Sequence, residues 1–472
     1  MLVLALESST SSAKAILYDS AKGVIDICSK RYDPQIGGDG ITDTDGVLRL
    51  TLEAGKTVAQ GKDIAAIAIC GTWHSIAICD KNLQPVSKTY SWNYMLPSES
   101  CRSIRKNEQL TAELYNRTGC MPHVTYPRQT LLYLQEQGYV FNDKLFISQG
   151  AYNFFKLTGV FCESRSTVSG SGLLNIHALE YDDFVLDLLQ IKKEQLGQLV
   201  SYQEIQPLNE FGANILGVSR GIPVVPAPPD GALNQVSSGA GSVDRMTISI
   251  GTSAALRLTS DHPFLPENRQ LWCYYGVTDW IVGAATAGAG NCINWFVQQC
   301  CGNRWTFEEL ETSPEVWEST PVFLPFLFGE RCPGWQDERL GGFYAIKASH
   351  SIHDMYRAVQ AGILFNLFQC FEVIRQIRKP KDLIVSGGIL NSRQWVQMMA
   401  DIFQSEVKCV KNLHASSTGA AILGFHAAGA IKDIKTFETD YEGAVRIPEN
   451  PESAGYYTEQ YQRYLHWYEI TR

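Results

Sequence analysis

"LALESSTSSAKAILYD", residues 4 to 19, sets an apolar run against a carboxylate, Glu7, and five consecutive hydroxyl residues, Ser8 to Ser12, before Ala15, Ile16 and Leu17 resume the run. A strand that stops at small polar residues and restarts reads as two strands joined by a tight turn. "TISIGTSAALRLTS", residues 247 to 260, repeats the plan: Ile248 and Ile250 lead into Gly251, Thr252 and Ser253, and Ala255 and Leu256 restart the pattern. Strand, polar turn, strand at two distant places predicts a duplicated fold.

The rest of the chain fits α/β layers, with strands alternating with helices. Strands are expected at 2–7, 13–18, 23–32, 64–72, 75–80, 270–277, 280–285, 382–388 and 407–410, residues 144–159 read as a strand into a helix, and 222–233 as a strand ending in prolines and then Asp-Gly. Helices are expected at 46–60, 107–117, 128–138, 288–300, 351–378 and 391–404, with a final one near 416–429. The small-residue stretch at 238–246 is the expected boundary between an N-terminal unit, residues 1–240, and a C-terminal unit, residues 241–472.

Composition narrows the class of protein. At 472 residues, with 45% apolar and 19% charged, the chain is ordinary globular material long enough for two domains. A net charge of -9 argues against non-specific nucleic-acid or acidic-membrane binding, so neither is expected as a partner. The 13 cysteines are scattered without a C-x-x-C and read as reduced thiols. "MLVLALESS" lacks the basic start of a signal peptide, and no apolar run reaches membrane-spanning length, so a cytoplasmic chain is expected.

Each polar turn can aim several N–H and O–H donors at one point with little bulk, which is what a polyphosphate requires. Either turn alone is also ordinary hairpin chemistry. In "VVPAPPDGALNQVSSGAG", Asp230 follows a stiff proline stretch and precedes Gly231. A carboxylate pinned there can accept a hydroxyl proton during phosphoryl transfer, or simply cap a helix. In "DLIVSGGILNSRQWVQMMADIF", Gly387-Gly388 ends a strand and a helix starts after Asn391-Ser392; this is compatible with a flat ring lying on the backbone, and with plain loop chemistry.

These four elements, in this order, resemble the FGGY family of carbohydrate kinases, of the actin/hexokinase/Hsp70-like (ribonuclease H-like) fold, and the resemblance covers essentially the whole chain. It implies two domains, each a mixed five-stranded sheet flanked by helices, closing over ATP, Mg²⁺ and a sugar. Asp230 matches the catalytic base. Thr10, Ser11, Ser12 and Lys14 match the first phosphate motif, and Gly251, Thr252 and Ser253 the second. Gly387, Gly388 and Asn391 match the adenosine motif, and Glu7 the carboxylate that meets the metal through water. "FLPFLFGERCPGW", residues 323 to 335, is also typical of the family.

Within the family the motifs are most similar to gluconokinases. "GTWHSIAICD", "TGCMPHVTYP" and "STVSGSGLLNIHALEYDD" carry the likeness, which implies that Trp73, His74, Ser75 and Gly231 face the sugar. The expected reaction is phosphorylation of gluconate to 6-phosphogluconate. The alternatives are a xylulokinase or another sugar kinase, and, from a different class, a catalytically weak sensor of sugar or nucleotide. The departures motivate that last reading. The family has Asp and Gly where this chain has Glu7 and Ser9, Asp and Arg where it has Tyr94 and Leu96, and the gluconokinase lysine is Thr130. An acidic sugar would miss that positive charge unless Arg128 or Arg102 substitutes for it. A homodimer is left open.

Overall fold

The computed structural model describes residues 1–239, 243–312, 320–411, 414–437, 441 and 443–471. Two large mixed sheets organise it. In the first, the buried opening strand Leu2–Ser8 pairs antiparallel with Ser12–Asp19 and parallel with Ile64–Cys70. In the second, Arg245–Ile250 pairs antiparallel with Ala254–Ser260 and parallel with Asp382–Ser386. The same local topology recurs, and each polar turn lies between the two antiparallel strands of its sheet: Ser8 is opposite Ala13, and Ile250 is opposite Ala254.

The sheets have six and seven strands, not five each. The edge strands are Gln206–Pro207 and Gly23–Arg31 in the first sheet, and Trp272–Tyr275 and Val445–Ile447 in the second. The boundary expected at 238–246 falls partly on 240–242, which lie outside the described residues.

Helix Ala415–Ala427, which follows the second sheet's strand Val407–Cys409, packs against the first sheet's opening strand and against helix Asp230–Ser237. Side chains bridge this junction. Ser417 donates to the Glu7 carboxylate, and Tyr18 Oη lies 3.1 Å from Thr418 Oγ1. The expected helix at 351–378 is Ile352–Ile377, started by a capping box between Ser351 and Asp354. A helix not anticipated, Ala454–Ile470, ends the chain. It buries Tyr461, Tyr464 and Tyr468, one face at helical spacing.

Among the described residues no helix is long and apolar enough to cross a membrane. All 13 cysteines are free thiols, 10 of them buried.

Candidate active site

Asp230 sits where two parallel strands end. The prolines after Pro223–Val225 carry the chain across the end of Ile64–Cys70: Gly71 N–H donates to the Pro228 carbonyl at 2.9 Å, and Asp230 N–H donates to the Gly71 carbonyl at 2.8 Å. Asp230 then opens helix Asp230–Ser237, a position favourable for a negative charge. Its Oδ1 accepts from Gly231 N–H at 2.8 Å and Trp73 N–H at 3.4 Å. Its second oxygen has no hydrogen-bond partner among the described residues. Burial raises the carboxyl above the ordinary aspartate range, and the Arg257 guanidinium opposes that shift.

Around Asp230 lies a cleft of about 250 Å³ with walls from both halves of the chain. Thr10, Thr72, Trp73, His74 and Trp92 come from the first half, and Ser253, Ala254, Ala255, Arg257, Trp272, Tyr274, Ala285 and Arg331 from the second. Gly231 must be glycine, because a Cβ there would lie 2.2 Å from the Trp73 ring. Trp73 is held by its Nε1–H on the Ser166 carbonyl at 2.9 Å. His74 has a left-handed backbone, φ 64°, and its Nδ1 meets the Gly170 carbonyl. A carbonyl only accepts, so Nδ1 carries the proton and Nε2 keeps a lone pair. Burial lowers this imidazole to about 3, so it is neutral at physiological pH. On the opposite wall the rings of Trp272 and Tyr274 stack with centroids 4.2 Å apart, and Tyr274 Oη lies 2.8 Å from Tyr126 Oη.

Ser75 does not reach this cleft. It lines a separate cavity of about 30 Å³ with Glu163 and Thr167, where Gln149 N–H meets its hydroxyl at 3.4 Å. The left-handed turn at His74 breaks the strand alternation that would have put Ser75 on the same face as Trp73.

The first polar turn is closed by Ser9, whose hydroxyl donates to the Ser12 carbonyl at 2.8 Å and accepts from Ser12 N–H at 3.2 Å. The serine that replaces the family's glycine therefore ties the turn together. Thr10 lines the cleft and accepts from Trp92 Nε1–H at 3.0 Å; Ser11 is exposed and Ser12 half-buried. Beneath the turn, buried Glu7 accepts from Ser417 and has Lys14 Nζ 3.6 Å away. In the second turn the Gly251 carbonyl accepts from Gly290 N–H at 2.9 Å, and the Thr252 carbonyl from Asn291 N–H at 3.1 Å, so the turn is seated on the start of helix Gly290–Trp295. Thr252 is exposed and Ser253 half-buried in the cleft. Directly behind lies Gly387, with φ 95° and no room for a Cβ, which would be 2.4 Å from the Ile250 carbonyl. Gly388 and Asn391 follow on the exposed surface, outside the cleft lined by Asp230.

The expected substitutes for the missing gluconokinase lysine do not serve. Arg128 is fully buried, and four of its five N–H donors are taken by Gln129 Oε1, Thr118 Oγ1 and the carbonyls of Cys120 and Met121. Arg102 lies on the surface, paired with Glu99 and Glu338. Thr130 is buried, Leu96 is exposed, and Tyr94 packs on Tyr90 and Tyr133. The guanidiniums that do line the cleft, Arg257 and Arg331, were not singled out from sequence. Both stand inside quoted motifs, "ISIGTSAALR" and "FLFGERCPGW", and Arg257 is the one charge in an otherwise apolar or hydroxyl-bearing strand.

Hydroxyls from two turns, a carboxylate between them and an aromatic wall line one cleft on a duplicated α/β fold. The family comparison agrees. The N-terminal domain model of the FGGY family of carbohydrate kinases matches residues 2–237 and its C-terminal domain model matches 246–428, so the chain belongs to the FGGY family and is an ATP-dependent carbohydrate kinase. Among curated relatives, a gluconokinase of Bacillus subtilis (strain 168) is 27% identical over 459 residues, covering 91% of this chain and 88% of that protein. A xylulose kinase of Staphylococcus epidermidis (strain ATCC 12228 / FDA PCI 1200) is 26% identical over 494 residues, covering 100% and 97%. Among solved structures, gluconate kinase from Lactobacillus acidophilus superposes with a TM-score of 0.92 at 25% identity, covering 100% of this chain and 98% of that one.

Proposed function

We propose that the enzyme transfers the γ-phosphoryl group of ATP to the terminal hydroxyl of gluconate, giving 6-phosphogluconate, with Asp230 as the general base. The observation that carries this reading is the half-buried Asp230 carboxylate, which lines the same cleft as Thr10 of the first turn and Ser253 of the second. Asp230 would accept the hydroxyl proton as the sugar oxygen attacks, and its desolvation makes it a stronger base than an aspartate in water. Trp73 and His74 would hold the sugar. Thr10, Ser11 and Ser12, with Gly251, Thr252 and Ser253, would hold the phosphates, and Gly387, Gly388 and Asn391 the adenosine.

Bound ATP and Mg²⁺ supply the phosphoryl group and offset its charge. The donors present suit a hard cation kept largely hydrated: one carboxylate, Glu7, and neighbouring hydroxyls. Among the described residues no group of three or more His, Cys, Asp or Glu side chains forms a metal cage. Residues 1–240 and 241–472 would act as the two lobes, and a cytoplasmic setting gives access to ATP. The similarity to gluconokinases and the gluconokinase-like motifs favour gluconate; the match to xylulose kinases across the full chain keeps xylulose as the second reading.

The test is ADP production with gluconate, xylulose and other sugars for the wild-type enzyme and Asp230→Asn. Asn keeps the shape but cannot take the proton, so kcat should fall at least about 100-fold with ATP binding retained. More than about a tenth of wild-type kcat in the variant would show that Asp230 is not the base.

A further inference from the structure

The cleft holds more positive charge than its own carboxylate accounts for. Arg257 and Arg331 both line it, and Asp230 is the one carboxylate among its lining residues. The other acidic groups close to Arg331 are taken. Glu330 accepts from Arg339 at 2.8 Å, from the Tyr468 hydroxyl at 2.6 Å and from Gly334 N–H at 2.9 Å. Asp337 pairs with Arg105 at 2.8 Å and lies 2.7 Å from His123 Nε2.

Neither cleft arginine has a carboxylate within ion-pair distance among the described residues, and the buried Nε of each lacks a partner. Among the described residues Arg257 makes a single side-chain bond, to Ser249 Oγ at 3.3 Å, and Arg331 makes none. The two charges also repel each other. Two partly desolvated like charges with unused donors are costly unless an anion completes the site. Guanidinium donors form the fork that fits a carboxylate's two oxygens.

We propose that Arg257 and Arg331 bind the carboxylate of an acidic sugar in this cleft, and so select an aldonate over a neutral sugar of equal length. The inference rests on the sugar-kinase reading above. It also explains how the chain dispenses with a lysine at Thr130.

The experiment compares gluconate with glucitol, which has a CH₂OH in place of the carboxylate, on the full-length enzyme. For Arg257→Gln and Arg331→Gln, the ratio of gluconate to glucitol kcat/KM should fall at least about 10-fold, the scale of a lost hydrogen bond to a charged group. Gluconate binding measured calorimetrically without nucleotide should weaken in parallel. Arg331→Lys and Arg257→Lys keep the charge without the fork, and should retain part of the preference. An unchanged ratio, with both substrates losing equally, would assign the guanidiniums to phosphate or scaffold and overturn the proposal. A wild-type enzyme that phosphorylates only neutral sugars overturns the gluconate reading itself, and the wild-type panel gives that result before any variant is made.

Discussion

Replacing Glu7 by Asp tests whether the longer carboxylate is an adaptation or a loss. The side chain shortens by one C–C bond, about 1.5 Å. In the structure the full length of Glu7 is used: its Oε2 accepts from Ser417, on a helix of the other half of the fold, and lies 3.6 Å from Lys14. An aspartate would draw back from both. Losing one hydrogen bond to a charged group costs about 1.5–3 kcal/mol. If that loss falls on the reactive geometry, the rate drops by roughly 10- to 100-fold. Glu7→Asp is therefore expected to lower kcat and to raise the Mg²⁺ concentration needed for half-maximal rate. Ser417→Ala, which leaves the carboxylate its length and removes its donor, should move the Mg²⁺ dependence in the same direction by a smaller factor. Steady-state kinetics over a Mg²⁺ series measures both. A several-fold gain in the Asp variant would refute the reasoning and favour a chain drifting toward a sensor.

Two further outcomes follow from the geometry. Gly231→Ala puts a methyl group 2.2 Å from the Trp73 ring, in a helix that opens with Asp230; the ring must move, so gluconate KM should rise several-fold and the melting temperature fall, and an unchanged KM would show that Trp73 is not part of the sugar wall. Burial raises the Glu163 carboxyl to about 7, against bonds from Ser148 N–H at 2.6 Å and Ser148 Oγ at 3.0 Å. Its folded pKa lies above the unfolded value of about 4.5, so its contribution is fully present below that value and is lost as pH rises through 7, on the order of 3 kcal/mol. Chemical denaturation from pH 5 to 8 should show wild-type stability declining more steeply than that of Glu163→Gln, and parallel profiles would contradict this.

What was legible in the sequence was local. The polar turns are contiguous runs of small hydroxyl residues, and Asp230 follows a rigid stretch that fixes its position, so short-range chemistry pointed to both. The walls of the cleft were not local. Arg257, Tyr274 and Arg331 meet Trp73 and His74 only where the two halves of the chain come together. Arg128 misled because an arginine reads as exposed and available by default, whereas here its donors are spent on carbonyls of its own neighbourhood. The closing helix escaped notice because its buried face is tyrosine, which scores as half-polar in a periodicity search, yet Tyr461, Tyr464 and Tyr468 turn toward the core.

The two sides of the cleft are built differently, and the difference matches the division of labour in phosphoryl transfer. On the side of Trp73 and His74 the two halves are joined by buried polar contacts: Tyr126 to Tyr274, Tyr115 Oη to the Leu271 carbonyl at 2.8 Å, and Arg105 to Asp337. Burial on that side lowers the imidazole of His74 and raises the carboxyl of Asp230. On the turn side Ser11, Thr252, Gly387, Gly388 and Asn391 stay exposed, so a large, highly charged nucleotide can reach them without crossing the desolvated wall. Asp230 lies where the two environments meet. In the role proposed for it, Asp230 combines a desolvated carboxylate, a stronger proton acceptor than an aspartate in water, with access to the exposed turns.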